Sequence, residues 1–298
     1  MYNYDVWQWL LFFYIYCFIG WCWETVYVSI KEKKLVNRGF LKGPFLPIYG
    51  SGAIILLMVV IPFRGNIVLT YIVGMIAATV LELATGILME AMFKVRYWDY
   101  SNQKFNYKGY ICLTSSIAWG FFTIILEDYI HKPISKLVLE SPINAISYIS
   151  IALTIYMIID FVISFHGALN LRMLLHKMEK AKDELVTLAR STGQLQEGIT
   201  EYGKLKISEL EKMVKEKLEE LSKVRPEEKQ QGQVEREKEY KDRLQTIMDK
   251  HNLHVKKRKK QNSRITGNPT MVSKRYKGTL DDLKQMLKEE RNIKKKNK

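Results

Sequence analysis

The chain has 298 residues, with 46 Lys and Arg against 31 Asp and Glu for a net charge of +15, and a hydrophobic share of 47% that includes 12% aromatic residues. Its mean hydropathy of −0.13 averages two unlike parts: residues 1–166 hold 12 basic and 10 acidic side chains, whereas residues 167–298 hold 34 and 21. The three cysteines, Cys17, Cys22 and Cys112, show no Cys-x-x-Cys or other metal-ligand spacing and read as small packing residues.

A bilayer core about 30 Å thick needs roughly 20 mostly apolar residues for a crossing helix. Five stretches approach this, at residues 7–28, 47–62, 67–93, 109–130 and 144–166. The expected fold is therefore an all-α integral membrane bundle of about five transmembrane helices in residues 1–166. The first stretch lacks the basic leader of a cleaved signal and reads as a retained anchor. The second is short and follows glycine and proline, which predicts a tilted helix or one that begins inside the membrane. Lys31, Lys33, Lys34, Arg38 and Lys42 follow the first stretch, and Lys94, Arg96, Lys104 and Lys108 follow the third. The other two connections carry only Arg64, and Lys132 with Lys136. The excess of positive charge predicts that the first two of these loops are cytoplasmic, the N-terminus is outside and the C-terminal tail is inside a multi-pass protein of the plasma membrane. Trp7, Trp9, Tyr14 and Tyr129 toward the outer ends, with Trp98 and Tyr100 beside the inner ends, suit interfacial aromatic belts.

Charged groups in these stretches stand out, because a charge near the bilayer centre costs about 2.5–3.5 kcal/mol on insertion scales and faces protein or a wet cavity. Glu24, Glu82, Glu90 and Asp160 all fall in the inner half under this topology. Glu82, Gly86 and Glu90 share one helical face, which should turn toward other helices. Thr114, Ser115 and Ser116 lie at a similar depth, and Arg38 and Arg96 are the cations nearest the set. A polar inner-leaflet site or substrate pathway would thus draw on Glu24, Arg38, Glu82, Glu90, Ser116 and Asp160. For Glu24, Glu90 and Arg96 a structural reading stands beside this one, since long side chains near helix ends form ion pairs or snorkel to water. Glu82 and Asp160 lie deeper and are the stronger site candidates.

Residues 37–52 contain four glycines and two prolines, which no uninterrupted helix tolerates. At membrane depth such backbone must be buried in protein or line a cavity, and Phe40, Leu41, Phe45, Leu46 and Ile48 are poorly suited to plain solvent. An inserted or docked loop is expected, against the simpler alternative of a surface loop leading into a helix that starts at Pro47.

The ordered motifs Gly20-Trp21-x-x-Glu24, Asn37-Arg38-Gly39-Phe40-Leu41-x-Gly43-Pro44-x-x-Pro47-Ile48-Tyr49-Gly50-x-Gly52, Glu82-x-x-Thr85-Gly86, Arg96-x-Trp98-Asp99-Tyr100-Ser101, Asn106, Gly109 and Leu113-x-x-Ser116-x-x-Trp119-Gly120 resemble the ABC-transporter type IV permease family, also called CmpB-like, over roughly residues 12–130. The resemblance implies the membrane half of an ATP-driven transporter. No G-x-x-x-x-G-K-S/T phosphate loop occurs here, so the chain itself carries no cofactor and ATP would enter through a separate ATPase subunit. That subunit would dock on loops 31–46 and 94–108, with Gly43, Pro44, Pro47, Tyr49, Arg96, Trp98, Asp99 and Tyr100 as docking or gating residues. Arg38, Trp98 and Asp99 would pass on the motion. Glu82 and Asp160 would favour a cationic or amine-bearing substrate, or carry protons. An enzyme acting on lipid headgroups is the competing reading, with Arg38, Arg96 and Lys42 on a phosphate and Glu82 or Asp99 as base; no catalytic motif supports it, and the expectation leans away from an enzyme.

The tail suggests a third reading, a membrane-anchored scaffold or sensor. Leu174, Met178, Ala181, Leu185, Leu188, Thr192, Leu195, Ile199 and Tyr202 alternate spacings of four and three, the seam of a coiled coil over residues 167–225. Gly193, Gly198 and Gly203 interrupt it, and Ile207, Leu210, Val214, Leu218 and Leu221 resume it before Pro226. The seam is open to two partners, the tail's own helices or a second copy, and a homodimer is the expectation. Residues 226–298 are charged, basic and expected to be partly disordered, with a short helix near 279–293 that Thr279 could cap. The cluster Lys256–Lys260 favours the bilayer's anionic lipid over nucleic acid, because no aromatic residues are interleaved with it.

Overall fold

A computed structural model describes residues 4–191, 207–223, 231–257 and 261–296, and these are almost entirely helical. Helix α1 (Val6–Glu32) starts at a reciprocal cap: the Asp5 carboxylate accepts from Trp7 N–H at 3.0 Å, and Asp5 N–H donates to Gln8 Oε1 at 2.9 Å. Helix α2 (Pro47–Val60) follows an extended Leu46 and opens with proline at its first position, where no backbone donor is missed. Helix α3 (Ile67–Phe93) is capped by Asn66, which accepts from Leu69 N–H at 3.1 Å, and ends at Lys94 in left-handed backbone. Helix α4 (Leu113–Ile125) passes through one wide π turn, Leu126–Ile130, into α5 (His131–Glu140). Helix α6 (Ile143–Ser191) runs for 49 residues. Beyond it lie α7 (Ile207–Lys223), α8 (Gln231–Lys257), α9 (Asn262–Gly267) and α10 (Lys277–Lys296).

Among the described residues, α1, α3 and α6 are long and apolar enough to cross a membrane. The 14 residues of α2 reach only about 21 Å at 1.5 Å per residue, short of the hydrocarbon core even though the helix is apolar. The fourth expected stretch is helical only from Leu113. Its start, given as Gly109, lies instead in a hairpin of strands β1 (Asn106–Tyr107) and β2 (Ile111–Cys112). Large apolar side chains face outward from all three long helices, among them Trp23 and Ile30, Ile76 and Val80, and Ile155 and Ile158. That is the surface that lipid requires and water disfavours.

The chain divides into two compact units, one of Met1–Ala168 with Thr266–Val272, the other of Leu169–Ile265 with Ser273–Lys298. The first unit therefore includes a piece of chain that the sequence places in the tail. Within it α1 packs on α2, α2 on α3 and α3 on α4. The α1–α2 backbones approach closely through glycine. A Cβ on Gly20 would fall within the Tyr49 ring, and one on Gly50 would lie 2.6 Å from the Phe13 carbonyl oxygen. Small residues serve helix association in lipid in this way, where burial of apolar surface gives no drive of its own.

In the second unit, Ala181, Leu185 and Leu188 of α6 are buried with Leu210, Val214 and Leu218 of α7 and Leu244 and Ile247 of α8. Of the two partners left open for the seam, the tail's own helices occupy it here. Residues 192–202 of the seam with Gly193 and Gly198, then Gly203 and Pro226, and the side chains of Ile207, Leu221 and Lys256–Lys260, lie outside the described residues. The last helix begins at Lys277, two residues before the expected start, so Thr279 sits inside it; its hydroxyl bonds Glu179 and does not cap the helix. Leu280, Leu283 and Leu287 form the buried edge that the spacing indicated.

Leu185 is fully buried in this cluster. Leu185→Ala should therefore lower the stability of the second unit by about 2–5 kcal/mol. Proteolysis of the full chain in mild detergent should then cut α7 and α8 faster and leave fragments of α1 and α3 unchanged.

Candidate functional site

The four carboxylates within the long apolar helices α1, α3 and α6 are held in three different ways. Glu24 and Glu90 each meet an arginine. The Arg38 Nε lies 3.5 Å from Glu24, which also accepts from the Tyr49 hydroxyl at 2.8 Å. Arg96, 3% exposed, pairs through Nε with Glu90 and donates Nη1 to the Lys108 carbonyl at 2.7 Å, while its guanidinium lies 3.9 Å over the Tyr110 ring. Glu90 also accepts from Tyr110 at 2.5 Å. Both carboxylates thus have the ion pairs of the structural reading, formed with the two arginines that the sequence placed nearby.

Asp160 serves a backbone. Its two oxygens accept from Lys42 N–H at 3.1 Å and Gly43 N–H at 2.7 Å, and Ser164 donates to it at 3.1 Å. The loop before α2 is thereby tied to α6. Asn37 Nδ2 donates to the Lys42 carbonyl at 2.6 Å, Phe45 N–H closes a γ-turn about Pro44 on the Gly43 carbonyl at 2.9 Å, and Leu46 N–H reaches the Cys17 carbonyl of α1 at 3.0 Å. Leu41, Phe45 and Leu46 are buried, and Phe40 lies against Phe93, Tyr97 and Phe161. The docked loop expected from its apolar residues is what the structure contains. Gly43 has no room for a side chain, since a Cβ would run into Tyr156 Oη and Asp160.

Glu82 differs from the other three. It is 6% exposed and accepts from Tyr100 Oη at 3.0 Å, Trp119 Nε1 at 3.2 Å and Ser115 Oγ at 3.3 Å. These donors are neutral, and among the described residues no Lys, Arg or His lies within ion-pair distance of it. Burial, then the neighbouring Glu82 carboxylate, holds the Tyr100 hydroxyl above the ordinary tyrosine range, which keeps it a donor. The Trp119 ring, 5.9 Å from the Tyr49 ring, joins this group to the Glu24 pair.

Ser116 stands apart from Glu82 and shares a hydrogen bond with Thr79 at 2.9 Å; Ser115 is the serine at the carboxylate. Trp98 and Asp99 build the hairpin: Trp98 Nε1 donates to the Tyr110 carbonyl at 2.9 Å, and Asp99 accepts from Ser101 N–H at 3.0 Å and its hydroxyl at 2.5 Å. Gly109 closes that turn with φ +78, where a Cβ would strike both Ser101 and Asp99. Pro47 starts α2. Arg38 and Arg96 are engaged with carboxylates and carbonyls, and no three His, Cys, Asp or Glu side chains converge among the described residues.

At the opposite end of the helices is a group that the sequence did not point out. Buried His131 is hydrogen-bonded through Nδ1 to Tyr16 Oη at 2.7 Å and through Nε2 to Tyr4 Oη at 3.1 Å, and Arg64 pairs with buried Glu127 at 2.6 Å. Glu127 ends an apolar stretch and Arg64 is alone in its short loop. That isolation of two opposite charges at one depth was the available signal.

The docked loop and much of the polar network, with Glu24, Arg38, Tyr49, Glu82, Arg96, Tyr100 and Trp119, fall on residues of the ordered motifs, while Glu90, Tyr110, Ser115 and Asp160 lie outside them. The profile of the family described as Putative ABC-transporter type IV matches residues 11–165, just over half the chain. The chain belongs to this family. Its matched region takes in α1 to α5 and the part of α6 that carries Asp160. No curated protein and no solved structure matches the chain.

Charge-assisted hydrogen bonds are worth about 1.5–3 kcal/mol each. Asp160→Asn should therefore loosen the loop enough to speed thiol labelling at residue 42, in a Lys42→Cys chain free of other cysteines, by about tenfold or more. Equal labelling rates would mean that the apolar side chains hold the loop alone.

Proposed function

We propose that the chain is the membrane-embedded permease subunit of an ATP-driven transporter, crossing a plasma membrane with its N-terminus outside. Membership of the transporter family supports this, and one observation within the fold carries it: Glu82, buried within the apolar helix α3 and, among the described residues, held only by neutral donors. A carboxylate so placed is suited to a passing cation, an amine-bearing substrate or a proton, since any of these would supply the charge that the protein does not. Five crossings are part of the proposal, with α2 short and tilted and the helical path from Leu113 to Glu140 making the fourth.

The ATPase would be a second polypeptide that docks on loops 31–46 and 94–108. The docked loop is a firm lever for such a partner, because it is bonded to α1 at Cys17 and to α6 at Asp160. The hairpin is the other, through Tyr100 on Glu82. Enclosing a pathway would take two copies, which would meet through outward-facing surfaces of the membrane helices.

A scaffold or sensor role is the second reading. It is favoured by the helical core of α6, α7 and α8, which lies beyond the family match.

Purification from native membranes in mild detergent, followed by mass spectrometry, should recover a stoichiometric ATPase that Arg38→Ala or Trp98→Ala releases. Recovery of the chain alone, or with partners that need only residues 169–298, would favour the scaffold. Glu82→Gln should abolish complementation of a deletion strain with expression and membrane insertion unchanged. Full activity in that variant would make Glu82 a packing residue.

A further inference from the structure

Residues 266–272, Thr-Gly-Asn-Pro-Thr-Met-Val, are free of charge within the most basic part of the chain. They belong to the same compact unit as the membrane helices. Val272 and Arg96 exchange backbone hydrogen bonds, Arg96 N–H to the Val272 carbonyl at 2.7 Å and Val272 N–H to the Arg96 carbonyl at 3.0 Å, as two residues of an antiparallel ladder do. Asn268, 1% exposed, uses both ends of its amide: Oδ1 accepts from Arg38 Nη1 at 2.8 Å, and Nδ2 donates to the Gly39 carbonyl at 3.1 Å. Thr270 Oγ1 donates to the Tyr97 carbonyl at 3.0 Å and lies 3.3 Å from Arg38 Nη2. A Cβ on Gly267 would sit 2.5 Å from the Asn37 carbonyl oxygen, so the two backbones touch.

We propose that residues 266–272 are a built-in strand-like ligand of the two inner loops, and that they hold the Arg38 guanidinium on Glu24. The fork of Arg38 is shared among three places: Nε faces Glu24, Nη2 the Tyr97 carbonyl and Nη1 Asn268. Release of the segment removes the Asn268 and Thr270 partners and frees the fork to turn from Glu24. The C-terminal region thus acts on the polar network inside the membrane through one side chain, and through the Arg96 backbone whose own side chain neutralises Glu90. That this would regulate transport rests on the permease reading; the clip itself does not. The same surface is the one on which the ATPase would dock, so segment and ATPase would compete for it.

Hydrogen–deuterium exchange of the full chain in mild detergent tests the clip without any partner. In the unaltered protein, amides of residues 271–272 should exchange about a hundredfold more slowly than open backbone. Both Gly267→Val, which pushes on the Asn37 carbonyl, and the pair Asn268→Ala with Thr270→Ala should speed exchange about tenfold there and also in peptides covering 37–41 and 96–97. Peptides of α3 over residues 67–80 should not change in the paired variant. Rapid exchange at 271–272 in the unaltered protein would overturn the proposal. So would acceleration confined to 266–272 with loops 37–41 and 96–97 unmoved. Neither result depends on whether an ATPase is ever found.

Discussion

Two backbone N–H groups, those of Lys42 and Gly43, point at the carboxylate of Asp160, and most of the polar end of the helices follows from that contact. A loop rich in glycine and proline has no ladder of its own to satisfy its backbone, so it can lie against membrane helices only where other groups accept its donors. Asp160 does so from α6 and the Cys17 carbonyl does so from α1. Once the loop is fixed, Leu41, Phe45 and Leu46 are buried, Tyr49 is placed beside Glu24, and Arg38 is brought to the same carboxylate. The Asp160 carboxylate is thus the anchor of the element that brings Arg38 and Tyr49 to Glu24.

The same logic separates Glu82 from its neighbours. Glu24 and Glu90 have cations supplied by the loops, while among the described residues Glu82 has only hydroxyl and indole donors. Two of those donors, Ser115 and Trp119, come from α4, and the third, Tyr100, from the loop that leads into the hairpin. The carboxylate with no cation beside it among the described residues is therefore also the one held mainly from a neighbouring helix.

Much of this was legible from residue type and spacing, and the reasons for the gaps are physical. Glu82, Gly86 and Glu90 fall on one face because helical period fixes it. The pairing of Arg38 with Glu24 and Arg96 with Glu90 follows from the need to neutralise charge at depth. The role of Asp160 was not readable, because its partners are backbone amides, which carry no residue signature. Ser115 and Ser116 are adjacent, and only the rotation of α4 decides which one faces Glu82. The seam in α6 showed that a partner was needed but could not say whose, since Leu210, Val214 and Leu244 offer the same apolar surface as a second copy would. Nothing in Thr266–Val272 marked it as part of the membrane unit, because strand pairing through backbone groups leaves the side-chain pattern free.

The bridge between Arg96 and Val272 joins residues separated by most of the chain. During synthesis the membrane helices emerge and insert long before Val272 exists, so the inner loops spend that interval with the Arg96 backbone and the Arg38 fork facing water. Completion of the membrane half therefore waits on the last stretch of translation. A chain cut short before Thr266 would keep its apolar helices and still leave the Arg96 backbone edge unfinished, a state that quality-control proteases could recognise by that exposed edge alone.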